Sequence, residues 1–448
     1  MFINIGLIFL FLMGEVVGGL NELTNRYEIG MESLSQQGRD RVLDKLKKEV
    51  EKRPGLVDLH YKLGIEYSRR GRLKEAVGEF NQALKINPKH INSILALAEI
   101  ELSIRNVEWA TKRCEEVLRL DKKNLPAHNI LGQVYLLKKD PSKAEEEFRK
   151  SLEIDPDSIP AHLLLANLYN LTKRREDAIS LYKKAQKIDP KNEAIYINLG
   201  YTCLDAGLND EAIVELKKAS GLSPKNPTTY DGLGIAYRRK NDSKEALKWF
   251  KEAIETEPGF MLAYDHLATI YLEEKKVTEA IKIYKEALKI NPNIPAFHLK
   301  LAMIYEKEGD KKKAISEYKQ TISKDSKAVL AYNNLAYIYS EEKDELDKAL
   351  SFAKRAKMLA ENSGAVTDTL GWIYYQREEY DMALETLKEA RRLSPNDPMV
   401  AYHLGLAYLK NKMKDEAKRE FSGALKLNPN FSKAEEAKKM IDTELHSK

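Results

Sequence analysis

An alanine ladder runs through this chain. Ala76, Ala110, Ala144, Ala178, Ala212, Ala246, Ala280 and Ala314 lie 34 residues apart, and after one 35-residue step the series continues at Ala349, Ala383 and Ala417. A period of this length means that one supersecondary unit is copied in tandem. No copy buries its apolar face alone, so stacked neighbours must supply the core. Length alone, 448 residues, would suggest about three globular domains. The ladder overrides that count and predicts one elongated array, which moves the functional question from catalytic groups to exposed surfaces.

With Val57 as position 1 of the first unit, leucine fills position 7 in all eleven units, from Leu63 to Leu404. Position 8 is always Gly or Ala, as in Gly64, Ala98 and Gly405, and position 11 is Tyr except at Glu101 and Cys203. Apolar residues at 4, 7, 8 and 11 mark one face of a first helix. Positions 20, 24 and 27 repeat the stripe on a second helix. Small residues at 8 and 20 allow two backbones to approach closely, and the Tyr at 11 fills the groove beside them. Gly71, Gly207 and Gly309 stand at position 15, where a left-handed cap would end the first helix. Asp140-Pro141 reads as an N-cap and first-turn proline opening a second helix. Proline at position 32, as in Pro88, Pro156, Pro258 and Pro429, stops that helix, with Lys122 and Ser326 as replacements in units two and eight.

This pattern resembles the tetratricopeptide repeat (TPR) family, on residues typified by Tyr230, Leu233, Gly234, Tyr237, Ala246, Phe250, Ala253 and Pro258. The resemblance covers 57–430, eleven units. It implies an all-α fold, a right-handed α-solenoid (superhelix) of tandem 34-residue helix-turn-helix repeats. The one extra residue falls between Tyr339 and Ala349, in the turn between two helices, where an insertion disturbs least.

The ends differ from the array. Phe2 to Met13 is apolar apart from Asn4, Glu15 interrupts the stretch, no Lys or Arg precedes Arg26, and Val17-Gly18-Gly19 offers small residues for cleavage. Residues 1–20 are accordingly read as a signal peptide or membrane anchor. Residues 21–56 are read as a linker and capping helix, in which Arg39 to Arg53 runs in register with a second helix, Val42 standing where Ala is expected. Residues 431–448 are read as a C-terminal capping helix with Ala434, Ala437 and Ile441 facing inward. The expected location is extracytoplasmic, periplasmic or membrane-anchored, with membrane association through the N-terminal segment.

The charge balance, 74 basic against 69 acidic residues for a net +5, describes a mixed solvated surface and no nucleic-acid footprint. Cys114 and Cys203 occupy core slots three units apart, beyond the reach of a disulfide. No phosphate loop, H-E-x-x-H, Cys-x-x-Cys or G-x-S-x-G motif occurs. His60, His128, His162 and His298 all sit at position 4, where other units place Tyr196, Tyr230, Tyr264 or Tyr332, so they read as packing residues in place of metal ligands. No cofactor, metal or catalytic pair is expected, and the chain reads as a non-enzymatic scaffold, a monomer or weak oligomer.

In TPR proteins the first helices line a concave groove and positions 2, 5, 6, 9, 12 and 13 contact ligands. Carried onto this sequence, the resemblance marks an apolar region at Leu95, Ile130, Leu136, Leu163, Leu164 and Leu171. It marks a polar stretch at Asn167, Asn198, Tyr201, Arg238 and Arg239. It marks an aromatic and amide region at Asn333, Asn334, Tyr337, Asp368, Trp372, Tyr375, Tyr402 and His403, the mixture found at interface hot spots. Asn167 and Asn198 are similar to the asparagines of the carboxylate clamp that holds chaperone C-termini. The clamp's cation positions are here Leu163, Thr228 and Gly232, which leaves a carboxylate without a charge partner. The implied partners are extended peptides or helices of other proteins, in a role such as cell-envelope assembly or export. The alternative is a cytoplasmic adaptor, or a regulatory subunit acting in trans on an enzyme such as a glycosyltransferase.

Overall fold

The computed structural model describes residues 36–444, so the expected signal peptide or anchor, most of the linker and the last four residues lie outside it. Among the described residues the chain is a run of 24 α-helices with one short 3-10 turn and no strand. It divides into two compact units whose boundary, Trp249 to Phe250, falls inside the helix Ser243–Thr256. None of the described helices is long and apolar enough to cross a membrane.

In the first unit the helix Gln36–Lys52 precedes six first helices, from Val57–Arg69 to Pro227–Arg239, each followed by a second helix. The N-terminal helix buries Leu43, with Leu46 and Val50 packed beside it on Leu63 and Phe80. Val42, which the repeat register placed inward, is only half-buried. In the second unit five first helices, Met261–Glu273 to Pro398–Lys410, alternate with second helices, and Ala434–Glu444 closes the array. Phe431, Ala434 and Ala437 of that closing segment are buried in one cluster with Tyr402 and Phe421.

Each repeat is fastened by its position 8. A Cβ placed on Gly132 would lie 2.2 Å from Cε1 of Phe148, and one on Gly64 or Gly405 would lie 2.5 or 2.6 Å from Cε1 of Phe80 or Phe421. All three rings have no accessible surface. Where position 8 is Ala, the facing ring in repeats four, seven and eight is a tyrosine whose hydroxyl reaches across to the first helix. Tyr182 donates to Asn167 at 2.5 Å, Tyr284 to Asp265 at 3.0 Å and Tyr318 to Glu306 at 2.5 Å.

Ten of the eleven turns between paired helices share one geometry. Position 15 is left-handed not only at Gly71, Gly207 and Gly309 but also at Arg105, Lys139, Lys173, Asn241, Lys275, Glu378 and Lys412. The amide after it returns to the position-11 carbonyl, as from Asp140 to Tyr135 at 2.9 Å and from Met413 to Tyr408 at 2.9 Å, the bond of a Schellman cap. Repeat nine alone departs. Its extra residue converts the turn into the 3-10 segment Lys343–Glu345. Asp140 caps its helix as its sequence implies, accepting from the Lys143 amide at 3.1 Å behind Pro141. Both cysteines are free and buried.

Candidate partner-binding groove

In both units several first helices of adjacent repeats touch one another, whereas the second helices make their principal contacts with first helices. The first helices therefore line the inner side of each unit. Their positions 5, 6 and 9 are distinguished by what they meet there.

Positions 5 and 6 close on each other between repeats. Leu95 at position 5 of repeat two and Ile130 at position 6 of repeat three share one core cluster and are 1% and 4% exposed. The open apolar patch expected at these two residues is thus sealed. Neighbouring inner helices pack too closely to leave an aliphatic pair in solvent, and burial of both side chains is favourable. Leu136, Leu163 and Leu164 are half-buried, and Leu171 remains exposed. The same 35-residue relation joins charged groups in the second unit. Asp265 pairs with Lys300, and Asp368 accepts from Nδ1 of His403 at 3.0 Å. Asp368 and His403, expected as partner contacts, are in this structure each other's partners.

The polar stretch of the first unit is similarly engaged. Asn167 accepts from Tyr182, and the Tyr201 hydroxyl donates to the Thr228 carbonyl at 2.9 Å. Burial and the nearby Asp231 carboxylate push the Tyr201 phenol well above its ordinary range. Arg239 donates to the Leu204 carbonyl, and Arg238 is half-buried. A Cβ on Gly232 would meet Leu216 and the Tyr201 ring at 3.0–3.2 Å. Glycine at this clamp position therefore lets two side chains close where a ligand-binding cation would otherwise project. The Asn198 Nδ2 and Asn129 Oδ1 atoms are buried without a hydrogen-bond partner.

Position 9 opens outward in repeats eight and nine. Met303 is 49% exposed and Tyr337 45%, with Leu330 at position 2 of repeat nine 57% exposed beside them. Trp372 occupies the same position in repeat ten, half-buried. Its indole lies in a stack, 5.2 Å and 10° from the Tyr375 ring and 4.4 Å and 18° from the His403 imidazole. Tyr375 is braced edge-on by Tyr380. Below the column, Asn334 Nδ2 donates to Tyr318 at 2.8 Å, while Asn333 Oδ1 is buried with no partner. Tyr402 belongs elsewhere. It is 3% exposed and donates to Glu436 on the closing helix at 2.8 Å, so the array's own cap covers it. Met303 and Leu330 were passed over in the sequence because no aromatic marks them. Reading position 9 as a column, Met303, Tyr337 and Trp372, would have found the first.

Stacked helix pairs with an exposed inner column define a helical-repeat scaffold for protein–protein interaction. Tetratricopeptide repeat profiles match residues 57–90, 106–168, 135–196, 172–219, 227–260, 296–328 and 400–431, and a TPR repeat profile matches 268–309 and 371–412. The chain belongs to the tetratricopeptide repeat family. Solved structures similar to it include the APC/C hetero-tetramer Cut9-Hcn1, with 17% identity and TM-score 0.40 over 90% of this chain and 93% of that one. YrrB, a TPR protein with an unusual peptide-binding site, shows 21% identity and TM-score 0.35 over 44% of this chain and 97% of that one. Pseudomonas aeruginosa pilF shows 22% identity and TM-score 0.39 over 48% and 97%. None of the curated proteins compared matches the chain.

Proposed function

We propose that the chain is a non-enzymatic scaffold that binds a segment of a partner protein on the inner face of its second unit. The observation that carries this reading is the exposure of Met303 and Tyr337 at position 9 and of Leu330 at position 2, in the repeats that precede the Trp372 stack. Large apolar side chains grouped on a soluble surface are the usual mark of a binding patch. The first unit contributes less, because Leu95, Ile130 and Asn167 are already satisfied within the array.

The apolar segment from Phe2 to Met13 supports a role outside the cytoplasm, in envelope assembly or export. Photo-crosslinkers placed at Met303 and Tyr337 in the native cell test the first claim, with Met382 on a second helix as the control site. A partner captured from the column should lose at least tenfold in affinity on Met303→Asp or Tyr337→Ala. Crosslinking equal at Met382, or affinity untouched by both substitutions, would refute the inner-face reading. The intact mass of the protein from fractionated cells tests the second claim. A full-length chain in the cytosol would sink it.

A further inference from the structure

Three repeats share a device that the others lack. His60 places Nδ1 2.7 Å from Glu79 Oε2 and Nε2 3.0 Å from the Pro54 carbonyl. His128 places Nδ1 2.6 Å from Glu147 Oε2 and Nε2 3.3 Å from the Lys122 carbonyl. His298 places Nδ1 2.7 Å from Glu317 Oε2 and Nε2 3.3 Å from the Pro292 carbonyl. Each imidazole therefore ties the first turn of a first helix to its own second helix and to the turn from the preceding element. Repeats five and six make the second tie through tyrosine: Tyr196 donates to Pro190 at 3.0 Å and Tyr230 to Pro224 at 2.9 Å. In repeat four Leu181 stands in the place of the glutamate, and His162 Nδ1 contacts only the Ser158 carbonyl, at 2.9 Å.

A neutral imidazole has one N–H and one bare nitrogen. In these three sites both nitrogens face oxygen acceptors. Whichever tautomer it takes, a neutral ring donates to only one of the two, so both contacts are attractive together only when the ring carries both protons. We propose that His60–Glu79, His128–Glu147 and His298–Glu317 are proton-operated clasps that lock repeats one, three and eight while the shared proton is held and release them when it leaves. Position 4 faces the repeat's own second helix, so the clasp acts on the joint between the two helices of one repeat. It concerns the stiffness of the repeats and does not depend on what the groove binds.

The charged and titratable surroundings of His128 favour its protonated state. Around His128, Glu147 faces the ring, and Lys150, 2.8 Å from Glu147 Oε1, opposes it. The thiol of Cys114 on the neighbouring helix Val107–Leu120 is pushed up by burial and stays neutral. The bond to Glu147 outweighs burial and raises the proton affinity of His128 above its ordinary value. His60 faces the carboxylate of Glu79, and His298 that of Glu317, each with a backbone carbonyl on its other side. Because the folded His128 holds its proton more tightly than the unfolded chain does, its stabilisation is complete below the unfolded value of about 6.5. It is lost as pH rises through the higher folded value.

The test uses the full chain carrying 15N-histidine, with imidazole nitrogen shifts followed from about pH 5 to about pH 9. Each clasp ring should show two protonated nitrogens at the acid end. Loss of the second proton should coincide with faster amide exchange in its own turn, 121–128 for His128, after correction for intrinsic exchange. For His128 this step should move to lower pH in Glu147→Gln. The triple variant His60→Tyr, His128→Tyr, His298→Tyr keeps the carbonyl tie used by repeats five and six, and its exchange profile should lack the steps. Rings with a single protonated nitrogen over the whole range, read on the unaltered chain, would overturn the clasp. So would exchange steps that persist in the tyrosine variant.

Discussion

Gly132→Ala isolates the rule that joins positions 8 and 24. The added methyl would sit 2.2 Å from Cε1 and 2.6 Å from Cδ1 of Phe148, against a carbon–carbon optimum of about 3.5–4.0 Å. Phe148 is fully buried, so its ring has no free space to enter and two helices must part. Such overpacking costs about 1–3 kcal/mol, while replacing a mid-helix glycine by alanine returns about 1 kcal/mol. At this separation the upper part of the range applies, and the net loss is about 1–2 kcal/mol. That corresponds to a rise of roughly 5–30-fold in local opening. Because a long array need not unfold in one step, the measurement is amide hydrogen exchange of the helices Leu125–Leu137 and Pro141–Ile154, with circular dichroism confirming retained helix. Repeat two supplies the compensating pair, Ala98 with Cys114. In a Phe148→Cys background, Gly132→Ala should be neutral or stabilising by up to about 1 kcal/mol. The cycle then gives a coupling of about 2 kcal/mol. Unchanged or slower exchange in the single variant, or no coupling in the cycle, would refute the argument.

Other perturbations reach different features. Lys139 holds a left-handed backbone with φ 59°, so Lys139→Gly should stabilise repeat three by about 0.5–1 kcal/mol once the greater freedom of glycine in the unfolded chain is subtracted. A lower denaturation midpoint would contradict it. Tyr402→Phe removes the hydroxyl that donates to Glu436. Because Glu436 is half exposed, the loss is about 0.5–1 kcal/mol, visible as faster exchange confined to Ala434–Glu444. Burial, then the charges of Glu211 and Glu215, carries the Cys203 thiol up to about 11, and burial raises that of Cys114 further. Neither should react with a thiol reagent at neutral pH until the chain is denatured, and prompt labelling of the native protein would show the assignment to be wrong.

Much of the architecture was legible because it is local and repeated. The period gives the helix pairs, Gly71, Gly207 and Gly309 give a left-handed cap, and Asp140-Pro141 gives a helix start; all appear in the structure where the residues place them. The cap extends to seven non-glycine residues because the bond from position 16 to the position-11 carbonyl fixes the turn whatever side chain position 15 carries. Histidine at position 4 was legible as a stand-in for tyrosine, since both reach the same carbonyl. Its pairing with a glutamate leaves a mark at a spacing of 19 residues, since His60, His128 and His298 each have one there and His162 does not.

The groove was legible only as a set of positions. The TPR resemblance marked Leu95, Ile130, Asp368, His403 and Tyr402 as groove positions, and the structure engages each of them within the array. Whether a residue at such a position meets solvent, a neighbouring repeat or the closing helix depends on how near the next helix comes and which side chain it carries. That spacing follows from packing between repeats and from the Glu436 side of the cap, neither of which leaves a mark in the 34-residue period. Position 5 meets position 6 of the next repeat as an aliphatic pair at Leu95 and Ile130 and as an acid–base pair at Asp265 with Lys300 and Asp368 with His403, so those side chains are spent within the array. The sequence by itself determined the repeat and its helices, because short-range periodicity dictates them. The tertiary structure alone decided that Met303, Tyr337 and Leu330 remain exposed, because exposure is a property of the space between helices.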